Sequence, residues 1–553
     1  MVRRWNPVVR AVAFAAGLPF VASVARAQVF EYDLTGNQDS CYGWAVSRVG
    51  DVDQDGYEDF IVGAPTESTT DIGAADVISG RTGQQIVHLT GNVGFDYFGG
   101  AVEGRIDLDG DGYPDVLIGA PLDAPVNAGS VLAYSPHRML ALYTVGGPKN
   151  GAGFGTSIRT LLDDLDGDGI DDFVVGAPGV SSAITPTAYV CSGATGAVIW
   201  KKSGQLGSHF GQAVARAGDV DGDGVCDFLV GSPDFDDATL GAIGRVAAFS
   251  GATGAKLWSV DGASAGSQFG FSIAQPGDLD GDGVADCIVG APLDLDANGN
   301  STGTVTALSG ATGAPLYVLA GDFVDDRFGF DVRSVAGDID GDGTNDFIVG
   351  APANFGSPGF ARTFSGATGS VLNTFTEHTS DPSGFYAMYG NAVAGGDFDG
   401  DGRTDVLVCD YHFDGTHGLI EIFDTAVALW TGYGKGWAGT NGVPGLTASN
   451  APVIGAPIDL TIENSANAAT VGLLLIGSGE TAIPTKKGGT LLVDPLLLVS
   501  LPLPIGSLVL NDSIPNDPSL AGVHADLQVL ELDAGASNGL SFTPGLDLLI
   551  GFP

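Results

Sequence analysis

Short apolar runs separated by polar, turn-rich segments follow one another along most of the chain. Within residues 269–320, the runs 271–276, 287–290, 303–308 and 315–320 are apolar, and aspartate, glycine and serine are frequent between them. Runs of this length bounded by turn residues are typical of β-strands. The segment therefore predicts four antiparallel strands, A to D, joined by turns.

This arrangement recurs, and one acidic motif between strands A and B marks each copy. The seven copies begin at Asp51, Asp107, Asp164, Asp219, Asp278, Asp338 and Asp397. They are 55 to 60 residues apart, and an aromatic-glycine pair such as Phe269-Gly270 precedes each one. Six are followed by Gly-Ala-Pro or Gly-Ser-Pro, whereas the seventh has Val408-Cys409-Asp410. A fixed period of this size indicates a repeat architecture.

Each motif presents four carboxylates within nine residues, at positions 1, 3, 5 and 9. Side chains at the first three of these positions converge on one point of such a turn. The backbone carbonyl of position 7 and the carboxylate of position 9 can complete the set. Hard oxygen ligands in this number suit Ca²⁺. A solvated acidic turn is the alternative for a single copy, but seven registered copies favour about seven structural Ca²⁺ sites.

The predicted metal ligands occupy the same five positions in every copy. They are Asp51, Asp53, Asp55, Tyr57 and Asp59; Asp107, Asp109, Asp111, Tyr113 and Asp115; Asp164, Asp166, Asp168, Ile170 and Asp172; Asp219, Asp221, Asp223, Val225 and Asp227; Asp278, Asp280, Asp282, Val284 and Asp286; Asp338, Asp340, Asp342, Thr344 and Asp346; Asp397, Asp399, Asp401, Arg403 and Asp405. An EF-hand opens similarly but needs glutamate at position 12. Position 12 is apolar in every copy, so the turn ends at its ninth residue and joins two strands.

The Phe-Gly, D-x-D-G-D-G-x-x-D and Gly-Ala-Pro elements together resemble FG-GAP repeats. Such repeats form the blades of the seven-bladed β-propeller in integrin α-subunits and in many bacterial surface proteins. The resemblance covers residues 28–431 and implies an all-β fold with one four-stranded blade per repeat. It also implies a secreted protein of the bacterial type.

Antiparallel strand order decides which loops share an end of the propeller. The A–B calcium turns share one end with the Ser-Gly turns between strands C and D, and the B–C and D–A loops share the other. The B–C loops vary in sequence between repeats: 66–74, 122–129, 234–244, 293–303 and 410–418. Binding sites usually lie on such loops, so we expect an extracellular protein or glycan there. Residues 294–299 could form an extra calcium turn at this end.

The closure of the ring has two candidate strands. Residues 29–37 are similar to the strand D segment 86–92, and they precede the first Tyr-Gly pair as a strand D precedes each later Phe-Gly pair. We therefore expect residues 29–34 to form the outer strand of the last blade. Residues 428–430 are the competing candidate.

The first 27 residues have the layout of a secretory signal, with three arginines, an apolar stretch and a final Ala25-Arg26-Ala27. A membrane anchor is the alternative, but the apolar stretch is short and contains Pro19. We expect a secreted or extracytoplasmic chain, with cell-surface association left open. The formal net charge of −44 excludes nucleic acid as a partner, because no basic stripe neutralises phosphates.

The composition changes beyond residue 431. A glycine-rich linker is expected at 432–451 and a small β-sandwich-like domain at 452–553. Its predicted strands are 458–463, 470–476, 490–493, 507–510 and 526–532. The apolar stretch 491–510 raises the possibility of a membrane span, against which Asp494, Pro495 and Pro502 argue.

Catalytic chemistry has no clear sequence signal. The five cysteines share no framework, which favours small buried side chains over disulfides. Only His412 and His417 lie close together among the histidines, and no catalytic motif is present. The favoured function is an adhesion or interaction propeller. The alternative is an extracellular carbohydrate-active enzyme, a lyase or hydrolase that uses acidic loop residues. A pocket of converging carboxylates with perturbed pKa would favour the enzyme.

Overall fold

The computed structural model describes most of the chain. The described residues are 34–36, 40–66, 72–92, 94–123, 127–296, 299–335, 337–353, 359–376, 388–400, 403–413, 417–425, 429–433, 435–448, 457–484, 490–514, 524–536 and 539–549. The predicted signal at 1–27 and the predicted ligand Asp401 lie outside them. Within these ranges no helix has the length and apolar character needed to cross a membrane.

The described chain divides into two compact units, of which the first spans Tyr32–Ile422. The strands up to its end are β1 (Leu34–Thr35), β2 (Ala45–Gly50), β3 (Asp59–Ala64), β4 (Ala74–Ile78), β5 (Gln85–Thr90), β6 (Ala101–Ile106), β7 (Asp115–Ala120), β8 (Ser130–Ser135), β9 (Leu140–Gly146), β10 (Ser157–Thr160), β11 (Phe173–Ala177), β12 (Thr187–Cys191), β13 (Val198–Ser203), β14 (Val214–Gly218), β15 (Asp227–Ser232), β16 (Asp236–Asp237), β17 (Gly241–Ala242), β18 (Arg245–Phe249), β19 (Lys256–Asp261), β20 (Ser272–Gly277), β21 (Asp286–Ala291), β22 (Thr304–Leu308), β23 (Pro315–Ala320), β24 (Asp331–Ser334), β25 (Phe347–Ala351), β26 (Phe360–Phe364), β27 (Val371–Thr376), β28 (Val393–Gly396), β29 (Asp405–Asp410) and β30 (Leu419–Asp424).

These strands form four-stranded antiparallel sheets. The sheet orders are β2-β3-β4-β5, β6-β7-β8-β9, β10-β11-β12-β13, β14-β15-β18-β19, β20-β21-β22-β23, β24-β25-β26-β27 and β28-β29-β30-β1, and β16 and β17 form a separate hairpin. In the fifth sheet the predicted strands are confirmed to within one residue. The first strand of each sheet contacts that of the next, and β28 contacts β2. The sheets therefore form a closed ring.

The last sheet takes its outer strand from the beginning of the described chain. Leu34 pairs with Ile420 and Thr35 with Leu419, in antiparallel register. This confirms the first closure hypothesis at Leu34, the strand continues to Thr35 beyond the predicted range, and residues 29–33 lie outside the described ranges. The competing hypothesis is wrong, because residues 429–433 pair with Gly545–Leu549.

Neighbouring sheets pack through apolar cores, and glycine sets how closely they approach. The second strands are buried along their length, as the pattern of β3 and β21 illustrates. One core joins the first two sheets and includes Ile61 and Val116. At the edge of this core, a Cβ on Gly63 would lie 2.0 Å from the carbonyl oxygen of Gly99 in the next sheet. The glycine of Gly-Ala-Pro is therefore required by contact between backbones.

The second unit contains Phe423–Pro553. Its strands are β31 (Leu429–Tyr433), β32 (Leu446–Ala448), β33 (Pro457–Glu463), β34 (Thr470–Pro484), β35 (Thr490–Leu503), β36 (Ser507–Ser513), β37 (His524–Leu532), β38 (Leu540–Phe542) and β39 (Gly545–Leu549). The orders are β31-β39-β37-β34-β35, with β38 beside β37, and β32-β33-β36. Residues of both sheets, such as Leu460 and Leu527, share one apolar core.

Two strands of this unit are much longer than the sequence predicts. The strands β34 and β35 have 15 and 14 residues, and the apolar stretch 491–510 lies in β35, β36 and the turn between them. Pro495 does not end β35, because this strand lies at the edge of its sheet, where a missing backbone donor is tolerated. The pairing of β34 with β35 shifts register near Pro495, beside Gly477.

The five cysteines form no disulfide within the described ranges, where the sequence favours small buried side chains. Cys191, Cys287 and Cys409 are buried, and Cys41 and Cys226 are partly buried. Burial raises the pKa of the Cys191 thiol to about 12 and that of Cys226 to about 11. They therefore act as small apolar side chains.

Substitution of Gly63 by alanine should destabilise the ring by about 3 kcal/mol, because the added methyl group overlaps the Gly99 carbonyl. The matched control is Gly146→Ala, at the end of β9, where a Cβ meets no atom within 4 Å. Chemical denaturation of both variants measures the difference. Equal stability of the two would contradict the close approach of the backbones.

Candidate metal centre

The first aspartate of each motif organises the turn through backbone N–H groups. Gly281 and Asp282 donate to one carboxylate oxygen of Asp278, at 2.7 and 3.1 Å, and Gly283 donates to the other at 2.8 Å. Asp338 accepts the same three bonds from its own turn. Such bonds favour the ionised carboxylate, and they lower the pKa of the equivalent Asp164. At Asp164 these bonds therefore hold the first position as an anion.

The ninth aspartate is buried and connects two turns. In the fifth repeat, Asp286 accepts a hydrogen bond from Leu279 N–H of the acidic turn and another from Gly310 N–H of the C–D turn, both at 2.7 Å. The same pair of bonds reaches Asp59, Asp172, Asp227 and Asp346. A Cβ on Gly310 would lie 1.8 Å from the Ala285 carbonyl oxygen, so only glycine fits. These bonds agree with the expected placement of both turns at one end.

The carboxylates converge as a cation site requires. Oxygen atoms from positions 1, 3 and 9 lie within 4.8 Å of one another in the first four repeats, and those of positions 1, 3 and 5 do so in the fifth. Two ligands at the usual Ca–O distance of 2.3–2.6 Å are at most about 5 Å apart. The donor set consists of hard oxygens, which fits Ca²⁺ better than a softer metal.

A hydrogen bond also joins positions 5 and 7 of the acidic turn. The N–H of position 7 donates to the carboxylate of position 5, as Val284 does to Asp282 at 2.8 Å and Tyr57 to Asp55 at 3.1 Å. This bond fixes the short segment that carries the predicted carbonyl ligand. In the seventh repeat, Asp397, Asp399, Arg403 and Asp405 are described, and the Asp405 carboxylate accepts from Phe398 N–H at 2.7 Å.

Burial without a cation raises the pKa of the ninth aspartates. Their pKa reaches about 7 at Asp59 and Asp115 and about 6 at Asp172, Asp227 and Asp346. Desolvation is the largest cause in each, and the two backbone donors oppose it where both are present. A divalent cation beside these groups would remove much of the cost of their ionisation.

The second repeat departs from the others at its C–D turn. Arg138 forms ion pairs with Asp109 and Asp111, at 3.0 and 2.8 Å, and His137 stacks on Tyr113 with ring centroids 3.6 Å apart. A protein cation thus lies against two of the predicted ligands. This turn has Ser135-Pro136-His137-Arg138 where five other repeats have a Ser-Gly segment, but nothing in the acidic motif itself indicates the ion pairs.

The extra calcium turn predicted at 294–299 has mostly local partners. Asp294 accepts hydrogen bonds from the hydroxyls of Ser264 and Thr304, and Asp296 accepts from Asn300. Residues 297 and 298 lie outside the described ranges. These hydrogen bonds give Asp294 and Asp296 a structural role in holding the loop in its conformation.

The glycines of the C–D turns are the part of the centre that motif reading missed. The sequence indicates only turns at the Ser-Gly segments between strands C and D, whereas the backbone N–H groups of Gly80 and Gly193 donate directly to Asp59 and Asp172. The recurrence of a Ser-Gly turn 20 to 24 residues after the ninth aspartate was the available signal.

Acidification should act in opposite directions on the calcium-free and the calcium-loaded protein. The folded calcium-free chain binds protons at the ninth aspartates below about pH 7, so its melting temperature should rise as the pH falls toward 5. Protons compete with Ca²⁺ for the same oxygens, so the stabilisation produced by calcium should shrink over this range. Calorimetry with and without calcium measures both trends. A calcium effect independent of pH would contradict the proposed ligands.

Comparison with known proteins agrees with this geometry. The family model described as FG-GAP repeat matches residues 42–89, 98–134, 154–198 and 332–371. The chain is 34% identical over 218 residues to integrin alpha-5 of Xenopus laevis and 33% identical over 220 residues to integrin alpha-V of Gallus gallus. These alignments cover 35% and 36% of this chain and 20% and 21% of the relatives.

A solved structure titled "Structure of Dos1 propeller" is similar at a TM-score of 0.38 and 13% identity, over 66% of this chain and 74% of that one. The chain spans about a fifth of the length of the two integrin relatives. The segments that the family model matches are therefore FG-GAP repeats, folded as four-stranded antiparallel sheets, and the chain is similar in sequence to integrin α subunits.

Proposed function

We propose that the protein is a secreted, calcium-stabilised propeller that serves as an adhesion or interaction module. Its predicted domains are a signal at 1–27, seven blades at 28–431, a linker at 432–451 and a sandwich-like domain at 452–553. The strands β31 and β32, which lie within 429–448, pair with strands of the second unit, and that unit begins at Phe423. Ca²⁺ is structural in the A–B turns, and the B–C and D–A loops bind an extracellular protein or glycan.

The distribution of exposed apolar side chains carries this proposal. Several of the most exposed lie on B–C or D–A loops: Phe95 at 67%, Leu206 at 58%, Leu240 at 56%, Phe323 at 65% and Val324 at 54%. Apolar side chains gathered at one end of a soluble domain indicate an interaction surface. The calcium turns occupy the opposite end, so the cations support the scaffold and stay away from the ligand.

The carboxylates of the ring cavities support binding over catalysis. Within the described part, the two cavities along the ring are lined by two carboxylates, Glu103 and Asp331. Glu103 pairs with Arg159 at 3.1 Å, and Asp331 lies 3.4 Å from Arg333. Each carboxylate thus has an arginine neighbour, and each of these two cavities has one carboxylate where a glycosidase uses a pair on either side of the scissile bond.

Removal of calcium should lower the melting temperature of the first unit sharply. At a calcium concentration ten times the dissociation constant, one site contributes about 1.4 kcal/mol, so seven contribute about 10 kcal/mol, comparable to the stability of a domain. Asp278→Asn should reduce the calcium stoichiometry by one, and Asp123→Asn, on a B–C loop, is the control. Calorimetry with a chelator and metal analysis measure both effects. An unchanged melt after chelation would exclude the structural role.

A negative charge introduced on the B–C or D–A loops should weaken ligand binding. A screen of matrix proteins and glycans, with and without calcium, first identifies a partner. Leu240→Asp and Phe323→Asp should each weaken its binding at least tenfold, because a carboxylate replaces apolar contact area. Met139→Asp, equally exposed on a C–D turn, is the control and should bind normally. Loss of binding in the control alone would place the site at the calcium end.

A further inference from the structure

A cavity of about 110 Å³ is enclosed by the first strands of all seven sheets. Five arginines line it: Arg48 from β2, Arg105 from β6, Arg159 from β10, Arg216 from β14 and Arg333 from β24. The strands β20 and β28 contribute Gln275 and Gly395. The centre of the ring is therefore lined by guanidinium groups.

This cavity has the opposite charge to the rest of the chain. The protein has 66 acidic residues and 22 lysines and arginines, yet the cavity wall contains five arginines and one carboxylate, Glu103. Asp331, in the wall of the adjoining cavity, adds a second. Five positive charges against two negative charges leave an excess of three.

The arginines differ in how far neighbouring groups of the protein offset their positive charge. Arg159 pairs with Glu103, whereas Arg216 has only a neutral partner, because its Nε donates to the Gln275 amide oxygen at 3.1 Å. The buried Arg333 Nε lies 3.4 Å from an Asp331 carboxylate oxygen and makes no hydrogen bond within the described ranges. Across the same ranges, no ion pair joins Arg48 or Arg105 to a carboxylate. Burial, and next the charge of Arg105, lower the pKa of Arg48 to about 10.

Arg105 reaches the cavity through an irregular backbone. The pairing of β6 with β7 shifts between Glu103 and Ile106, and Arg105 has a φ of 59°. A residue with a side chain is strained in this region, and such strain persists where the surrounding structure maintains it. A β-bulge redirects a side chain. Here the bulge directs the positively charged Arg105 side chain into a cavity that four other arginines also line.

The cavity is accessible from one end of the ring. A second cavity of about 220 Å³ shares Arg159, Ile273 and Arg333 with it and extends past Trp44, which is 39% exposed. A small solute can therefore reach the arginines along the axis.

We propose that the arginine-lined axial cavity binds one small oxyanion of the sulfate or phosphate class. Guanidinium groups bind such anions through paired, charge-assisted hydrogen bonds. An anion with two negative charges offsets most of the excess of three. The volume exceeds the roughly 10–15 Å³ that one water needs, so an oxyanion with water fits. The site includes neither the calcium turns nor the exposed apolar residues of the loops. A failure of anion binding would therefore leave the proposed adhesion function unaffected.

Calorimetric titration of the full chain with sulfate tests the site directly. Sulfate is the probe because it leaves calcium in solution, and the titration is made at low ionic strength with calcium saturating. Saturable binding of one sulfate per chain is expected, with no binding of chloride at matched ionic strength. A parallel titration with glucose 6-sulfate distinguishes a free ion from the sulfate ester of a sugar, and binding of either compound supports the site.

The combined substitution Arg48→Gln and Arg105→Gln should weaken sulfate binding at least tenfold. The matched control is Arg245→Gln with Arg362→Gln, which removes the same charge from surface arginines paired with Asp261 and Asp322. If the first variant does not fold, anomalous scattering from wild-type crystals soaked in selenate locates the anion. The proposal is overturned if neither compound binds, if both variants bind equally, or if selenate is absent from the cavity.

Discussion

A buried carboxylate between two turns is the interaction on which the propeller depends. In five of the repeats the ninth aspartate receives one backbone N–H from the acidic turn and one from the C–D turn, so a single side chain fixes two connections of one sheet. Two donors do not compensate the burial of the charge, and the pKa of Asp59 is therefore raised to about 7. A cation held by the neighbouring carboxylates would complete the compensation, an arrangement that needs the acidic motif and the Ser-Gly turn together.

The charges of the molecule are separated along the ring. The carboxylates of the acidic turns lie at one end, the apolar side chains Leu240 and Phe323 lie on loops at the other, and five arginines lie in the middle. A metal ion would relieve the repulsion between the carboxylates, whereas the repulsion between the arginines is opposed by Glu103, Asp331 and, at Arg48, Glu58. The two ends and the axis can thus have separate roles on one scaffold, because a rigid ring of packed sheets keeps them apart.

The joint between the last and first sheets differs from the others. In the other six, a glycine of Gly-Ala-Pro or Gly-Ser-Pro contacts the next Phe-Gly or Tyr-Gly glycine, whereas the seventh has Cys409, against which a Cβ on Gly43 would lie 3.1 Å away. Asn391 donates to the Gly43 carbonyl oxygen at 2.9 Å, and the outer strand comes from Leu34 and Thr35. Cys409 is fully buried in this joint. The ring is therefore closed by side chains and by a distant strand.

The sequence by itself determined the repeats, the strands of each blade and the carboxylates of each turn. These features are local, because a turn of nine residues and a strand of six are specified by neighbouring residues, as Asp278 to Asp286 and β21 illustrate. Only the tertiary structure decided the partner of Gly310, the length of β35 at its sheet edge and the convergence of Arg48, Arg105 and Arg216. Those arginines are more than 50 residues apart in the chain. They meet because ring closure turns every first strand toward one axis, and no spacing within a single repeat contains that information.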